Sequence, residues 1–466
     1  MKEGDGDGGG LKGVSDRLSH RDVTRIALPI ILSNATVPLV GYVDTVVIGR
    51  YGGGAHLIGG VALAAVIFNN IYWIFGFLRM GTTGLTAQAA GAGDVAEIFA
   101  NLVRALAVAA LAGALLVAGQ ALLLDLFLWL MGGSDRVNGS VSTYFGVRIW
   151  GAPAALANFA IVGWFIGLGL ARIAFIIQLI LNGINIALAV ILVFGFELGV
   201  AGVAAAILLA EIAAVIAGGL FAWRELSRRD ARPQDARFLD GERIRTMIAV
   251  NRDVIIRTAC LIFAFSFFAA QGARTGDLAL AANAVLMSIA MIFVYMLDGF
   301  AFAAEVLVGQ AVGAKRTDRF GDAIRLSTIW ALVFAVAFSL ILYFAGGLLI
   351  DFTSDEADVR AAARTYLGWA ALIPVVGIWC YQLDGIFIGA TGTRQMRNMA
   401  IVSVAGYLAV WAVLTPVFAN HGLWAAILIF LGLRAVTLAA VLPALAREKF
   451  GDAAVWPAAG WRSGAA

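Results

Sequence analysis

The stretch that decides the fold is RIALPIILSNATVPLVGYVDTVVIGR, residues 25–50. The 24 residues between Arg25 and Arg50 carry one formal charge, Asp44. As a helix rising 1.5 Å per residue they span roughly 36 Å, enough to cross a hydrocarbon core of about 30 Å with some tilt. A carboxylate at the centre of that layer costs on the order of 2.5–3.5 kcal/mol, so it is seldom kept without a use. Asp44 stands five residues before Gly49, toward the far end of the helix. Pro29 and Pro38 each remove a backbone hydrogen bond and invite a bend. A bent helix with one buried acid reads as a moving part that holds a cation, with Pro29 and Pro38 as its hinge. The structural alternative is an Asp44 that caps a neighbouring helix or sits paired in the headgroup zone.

The rest of the chain agrees with a membrane setting. Of its 466 residues 61% are hydrophobic and 14% charged, against about 25% charged in soluble domains. Repeated apolar runs of twenty or more make it an all-α polytopic membrane protein. A net charge of +3 and the lack of a basic-aromatic face give no reason to expect nucleic acid. Cys260 and Cys380 lie inside apolar runs, and His20, His56 and His421 are scattered, so no disulfide or metal spacing can be built. No Walker loop or nucleophile–base pair occurs, which leaves no catalytic residues and no ATP-driven step in this chain. The natural energy source is an ion gradient.

About twelve spans fall near 25–49, 57–79, 98–130, 142–167, 172–196, 200–223, 249–273, 278–302, 323–350, 362–388, 398–419 and 422–445. Arg and Lys cluster on one side of this topology. The 224–252 stretch alone holds eight arginines, among them Arg228, Arg229, Arg237 and Arg243. The termini and that linker are therefore expected in the cytoplasm and the chain in the inner, plasma membrane. The domains expected are a disordered tail (1–22), an N-lobe (23–223), a cytoplasmic linker (224–248), a C-lobe (249–446) and a second tail (447–466).

Across the linker one pattern occurs twice. Leu85-Thr-Ala-Gln88-Ala-Ala-Gly91 returns as Leu307-Val-Gly-Gln310-Ala-Val-Gly313, 222 residues later. Gly163-Trp-Phe-Ile-Gly167 returns as Gly385-Ile-Phe-Ile-Gly389, Tyr144 as Tyr366 and Arg172 as Arg394, all at the same 222. Each half has an even number of spans, so the halves are parallel repeats about an axis along the membrane normal. Bundles of that kind place a substrate between them and work by rocking. The glycines read as packing and helix-stop residues, and Gln88 and Gln310 as bonding across helices or to loops.

The candidate site residues are the polar side chains inside the spans. Gln178, Asn182 and Asn185 share one face of span five. Tyr295 lies one turn before Asp298, and Asp298 and Glu305 are seven apart on one face. Asp384 follows Tyr381 and Gln382 in span ten. Acids beside aromatics suit organic cations through charge pairing and cation–π contact. Glu211 and Glu305, read near the cytoplasmic ends, are open between structural and functional roles, and Arg79 and Arg104 read as snorkelling.

These residues together resemble the multidrug and toxic compound extrusion (MATE) family, in its DinF-like branch, over residues 21–445. The carrying blocks are Leu28-Pro29, Val43-Asp44-Thr45-Val46-Val47-Ile48-Gly49, Phe77–Gln88, Leu297-Asp298-Gly299-Phe300-Ala301, Glu305, Gly309-Gln310-Ala311, Asp384-Gly385 and Met396-Arg397-Asn398. The resemblance implies two pseudo-symmetric six-helix bundles that exchange H⁺ or Na⁺ for cationic or amphipathic compounds. It makes Asp44 the ion-coupling residue, with Asn182, Asn185, Gln178, Tyr295, Asp298, Asp384 and Gln382 lining the cavity. Where the family carries an aspartate four residues after the span-five asparagine, this chain has Ala189. Hard cations favour several oxygen ligands, so the loss tilts coupling toward H⁺. The expectation is a monomeric H⁺-coupled efflux antiporter with no cofactor and no bound metal. The alternatives are Na⁺ coupling and a lipid-linked glycan flippase. The flippase would need several basic residues in its cavity, whereas most here fall in loops.

Overall fold

The computed structural model describes residues 17–451 apart from 53, 132, 133, 233 and 235, with backbone only at 37–40, 42 and 55. Most of both tails and the side chain of Pro38 lie outside the described residues. Every regular element described is helical, as chains buried in lipid require when each backbone group must be bonded within its own segment.

Among the described residues the helices read as twelve spans, once Thr393–Phe450 is divided at its break. They are α1 (His20–Tyr51), α2 (His56–Gly91), α3 (Val95–Ala118, continued by Gln120–Met131), α4 (Asp135–Gly167), α5 (Ala171–Gly195) and α6 (Gly199–Arg228) in the first half. The second half holds α7 (Gly241–Arg274), α8 (Asp277–Gly313), α9 (Thr317–Thr353) and α10 (Ala357–Gly389). Thr393–Phe450 then forms α11 (393–418) and α12 (420–450), parted by Ala419 at φ 49 and ψ −127. That break is held by a buried exchange between Asn283 of α8 and Asn420, at 2.8 and 2.9 Å, with Trp424 donating to Asn283 at 2.8 Å.

Polar residues fix the ends nearest the linker. Ser19 and Asp22 form a capping box on α1. Asp94 accepts from the Glu97 amide at the start of α3, and Asp240 accepts from the Glu242 and Arg243 amides at the start of α7. Arg243 also reaches Glu97 at 2.7 Å, tying the linker to α3. Because α6 and α7 extend past their apolar cores, only residues 229–240 are left to connect them.

The 222-residue repeat reappears as a repeat of contacts. A Cβ on Gly163 would collide with the Arg79 carbonyl, and one on Gly385 with that of Ala301, which is Arg79 moved on by 222. Gly167 meets the Thr83 carbonyl as Gly389 meets that of Glu305. Gly91 lies against the Gln310 carbonyl as Gly313 lies against that of Gln88. Gln88 donates to the Gly389 carbonyl at 2.8 Å, and Gln310 to that of Gly167 at 3.5 Å. The two halves thus meet where α2, α4, α8 and α10 end, on the linker face. Farther from the linker face, α1 packs on α8 through Ala27 and Ile31 against Gly299, and Asn34 donates to the Tyr295 carbonyl at 2.7 Å.

Candidate functional site

Two clusters of buried polar side chains occupy the interior, one in each half. In the first half, Asp44 is 5% exposed on α1, two turns below its far end. Asn185 of α5 donates to Asp44 Oδ1 at 3.4 Å. One turn along α5, Asn182 donates to Thr36 of α1 at 2.8 Å and accepts from Gln178 at 2.9 Å. The three amides therefore share a face, and that face lies against α1. Arg148 of α4 donates to Tyr144 at 2.9 Å, with its guanidinium 4.6 Å from the Phe68 ring centroid. Glu211 is buried on α6, 12 residues from its start and so near mid-helix rather than near the linker end.

In the second half, Asp384 of α10 is clasped by Arg257 of α7 and Arg434 of α12 through one carboxylate oxygen. Its other oxygen has no hydrogen-bond partner among the described residues. Arg257, Asp298, Glu305 and Asp384 line a small cavity of about 50 Å³ with Met80, Phe302, Tyr381 and Ile388. Arg79 enters from α2 of the other half and lies 4.5 Å from the Phe302 ring centroid, within Coulombic range of Asp298 and Glu305. Tyr295 is not among the lining residues and is 42% exposed. Gln382 is buried with neither amide atom paired among the described residues. Pro29 sits in an α1 that remains one helix from His20 to Tyr51.

Three basic residues escape a search that looks for acids inside the spans: Arg148, Arg257 and Arg434. The basic residues are therefore not confined to loops. The available signal was simply an arginine inside an apolar run, since none of the three recurs at the 222 offset. Arg104 does not snorkel free either: it is 6% exposed and paired with Glu97 at 2.7 Å. No group of three His, Cys, Asp or Glu placed to hold a metal occurs among the described residues.

The MatE family model matches residues 29–191 and again 254–417, once in each half. The chain is similar to DNA damage-inducible protein F of Escherichia coli (strain K12), with 38% identity over 423 residues, 91% of this chain and 92% of that protein. It is also similar to "Probable multidrug resistance protein YoeA" of Bacillus subtilis (strain 168), 24% identical over 415 residues, 85% of this chain and 86% of the other. Among solved structures it resembles the outward-facing conformation of a multidrug resistance MATE family transporter, with a TM-score of 0.83, 18% identity, and 91% and 96% of the two chains covered. A MATE structure described as the bent conformation gives 0.84 at 17% identity, covering 92% and 96%. At that identity the likeness speaks for the twelve-helix fold alone.

Proposed function

This chain belongs to the MatE family of multidrug efflux transporters, and from that premise we propose an H⁺-coupled antiporter that expels cationic or amphipathic organic compounds. In this reading it acts as a monomer of two lobes, residues 23–223 and 249–446, in the plasma membrane with both termini cytoplasmic.

The observation that carries the reading is the state of Asp44. It is buried, it accepts one long hydrogen bond, and no guanidinium or ammonium lies within 4.0 Å of it among the described residues. Such a carboxylate is free to exchange its counter-ion, whereas Asp384 is held by two guanidiniums. Seven residues separate Asp44 from the far end of α1, about 10 Å of helix, so a proton from outside has a short path. Protonation removes the charge that holds a cationic substrate, and the substrate leaves. A neutral Asp44 is cheaper to bury, so the lobes can rock to open toward the cytoplasm. Loss of the proton there restores the charge, with Pro29 and Pro38 letting α1 bend between states.

Na⁺ is less well served. Asn185 and Asp44 offer few oxygens, and Ala189 contributes none, while a hard cation favours six or more. A flippase gains ground from the buried arginines, but Arg257 and Arg434 already face Asp384, leaving no unopposed pair for a pyrophosphate. The test is ethidium flux in proteoliposomes under an imposed pH or Na⁺ gradient. Wild type should respond to the pH gradient, and Asp44→Asn should lose that response by roughly tenfold or more, a barrier change of about 1.4 kcal/mol or above. Wild-type pumping by Asp44→Asn would make Asp44 structural.

A further inference from the structure

The buried charges of the two halves do not sum alike. Around the second-half cavity Asp298, Glu305 and Asp384 are matched by Arg79, Arg257 and Arg434, which balances. In the first half Asp44 and Glu211 face one cation among the described residues, Arg148, leaving one net negative charge. Arg148 is within Coulombic range of both carboxylates yet within 4.0 Å of neither. The cluster also holds polar atoms with no partner among the described residues: Arg148 Nε, Glu211 Oε2, the Tyr72 hydroxyl and Asn185 Oδ1.

The other described groups facing this cluster are neutral. The nearby half of α2 presents Tyr72, α4 presents Tyr144 and Asn158, and α5 presents Asn185. On α8, the Tyr295 carbonyl and Gly299 meet α1 at Asn34 and Ile31, ten or more residues below Asp44, roughly 15 Å away or more. In depth, Asp44 is about 10 Å from the far ends of the helices and Glu211 about 18 Å. The two acids thus stand at successive depths, with Arg148 reaching both.

We infer that Glu211 is a second carboxylate of the coupling site, joined to Asp44 through Arg148, so that the first half holds one exchangeable unit charge. That charge is filled either by a proton on one of the two carboxylates or by one monovalent organic cation. An uncompensated charge in a low-dielectric bundle is strongly unfavourable, so the neutral states, singly protonated or singly loaded, are the stable ones. Binding a monocation to the protonated site therefore sends one proton to solvent, and no other bond changes. The inference rests on the reading of Asp44 as the site of proton exchange, and it assigns Glu211 a part in setting the charge of that site.

The experiment uses the full chain in detergent, with ethidium as the probe in weakly buffered solution. Wild type should release about one proton per ethidium bound, the count that charge balance sets. Glu211→Gln removes the net negative charge, so it should bind ethidium roughly tenfold or more weakly and release no proton. Adding Arg148→Gln to Glu211→Gln restores a net charge of minus one on Asp44 alone and should recover binding, a rescue that a merely structural Glu211 would not give. Wild-type affinity and release in Glu211→Gln, or a folded double variant no better than the single one, would overturn the inference. Two protons released by wild type would overturn it without any variant. Binding with no proton released would instead sink the H⁺ reading itself.

Discussion

Asp44 and Asp384 look alike as residues, each an acid in an apolar run, yet their neighbours give them opposite chemistry. Asp384 is the centre of a buried triad whose other members, Arg257 and Arg434, lie 127 and 50 residues away in the chain. Removing one partner of a buried ion pair costs about 3–5 kcal/mol, because the charges left behind are uncompensated. Asp384→Asn should therefore lower the melting temperature of the detergent-solubilised protein well below that of wild type. Asp44→Asn, which loses one 3.4 Å hydrogen bond, should melt near wild type. Equal melting of the two variants would mean that the triad does not hold the second half together. The acids were legible because a carboxylate stands out in a hydrophobic run. Their partners were not, because a one-dimensional pattern does not say which distant arginine a folded bundle brings to which acid.

At the scale of elements, the glycines separate into two classes that sequence alone does not distinguish. Gly163 and Gly385 let α4 approach α2, and α10 approach α8, within one half. Gly91 and Gly313 let α2 and α8 approach each other between halves. The repeat was legible from its constant offset, and so was the break before α12, since Asn420-His421-Gly422 interrupts an apolar run. The longer extent of α7, α8 and α9 was not, because helices continue into water after hydrophobicity ends. Overpacking a tight contact costs typically 1–3 kcal/mol. Gly163→Ala and Gly385→Ala should therefore lower thermal stability by that order, as the helices within a half have no second arrangement. Gly91→Ala and Gly313→Ala should leave melting closer to wild type and raise thiol labelling at the linker-side ends of α2 and α8. The same stability loss in all four variants would contradict a parting of the halves at that seam.

For the molecule as a whole, the described hydrogen bonds and glycine contacts between the halves lie toward the linker face, from Asn34 and Tyr295 down to Gln88 and Gly389. A cysteine placed at Gln234 should be labelled only by reagents that reach the cytoplasm if, as proposed, the eight arginines around it keep that face inside. Labelling from outside would invert the topology and with it the direction of transport. Contacts gathered on one face are what a two-lobe transporter needs if it is closed there and must open there once in each cycle. Ala87 of α2 and Gly309 of α8 offer the direct test: a Cβ on Gly309 would stand 2.6 Å from that of Ala87. A disulfide wants about 3.5–4.5 Å between Cβ atoms, so a relaxation of roughly 1 Å lets Ala87→Cys and Gly309→Cys join in a background without Cys260 and Cys380. The oxidised protein would keep its fold, since the bond links surfaces already in contact, but could not part its halves on the linker side. Ethidium flux should stop on oxidation and return with reductant, whereas each single cysteine variant should be indifferent to both. Undiminished flux through the cross-linked protein would mean that the halves do not separate at this seam, and rocking about it would have to be abandoned.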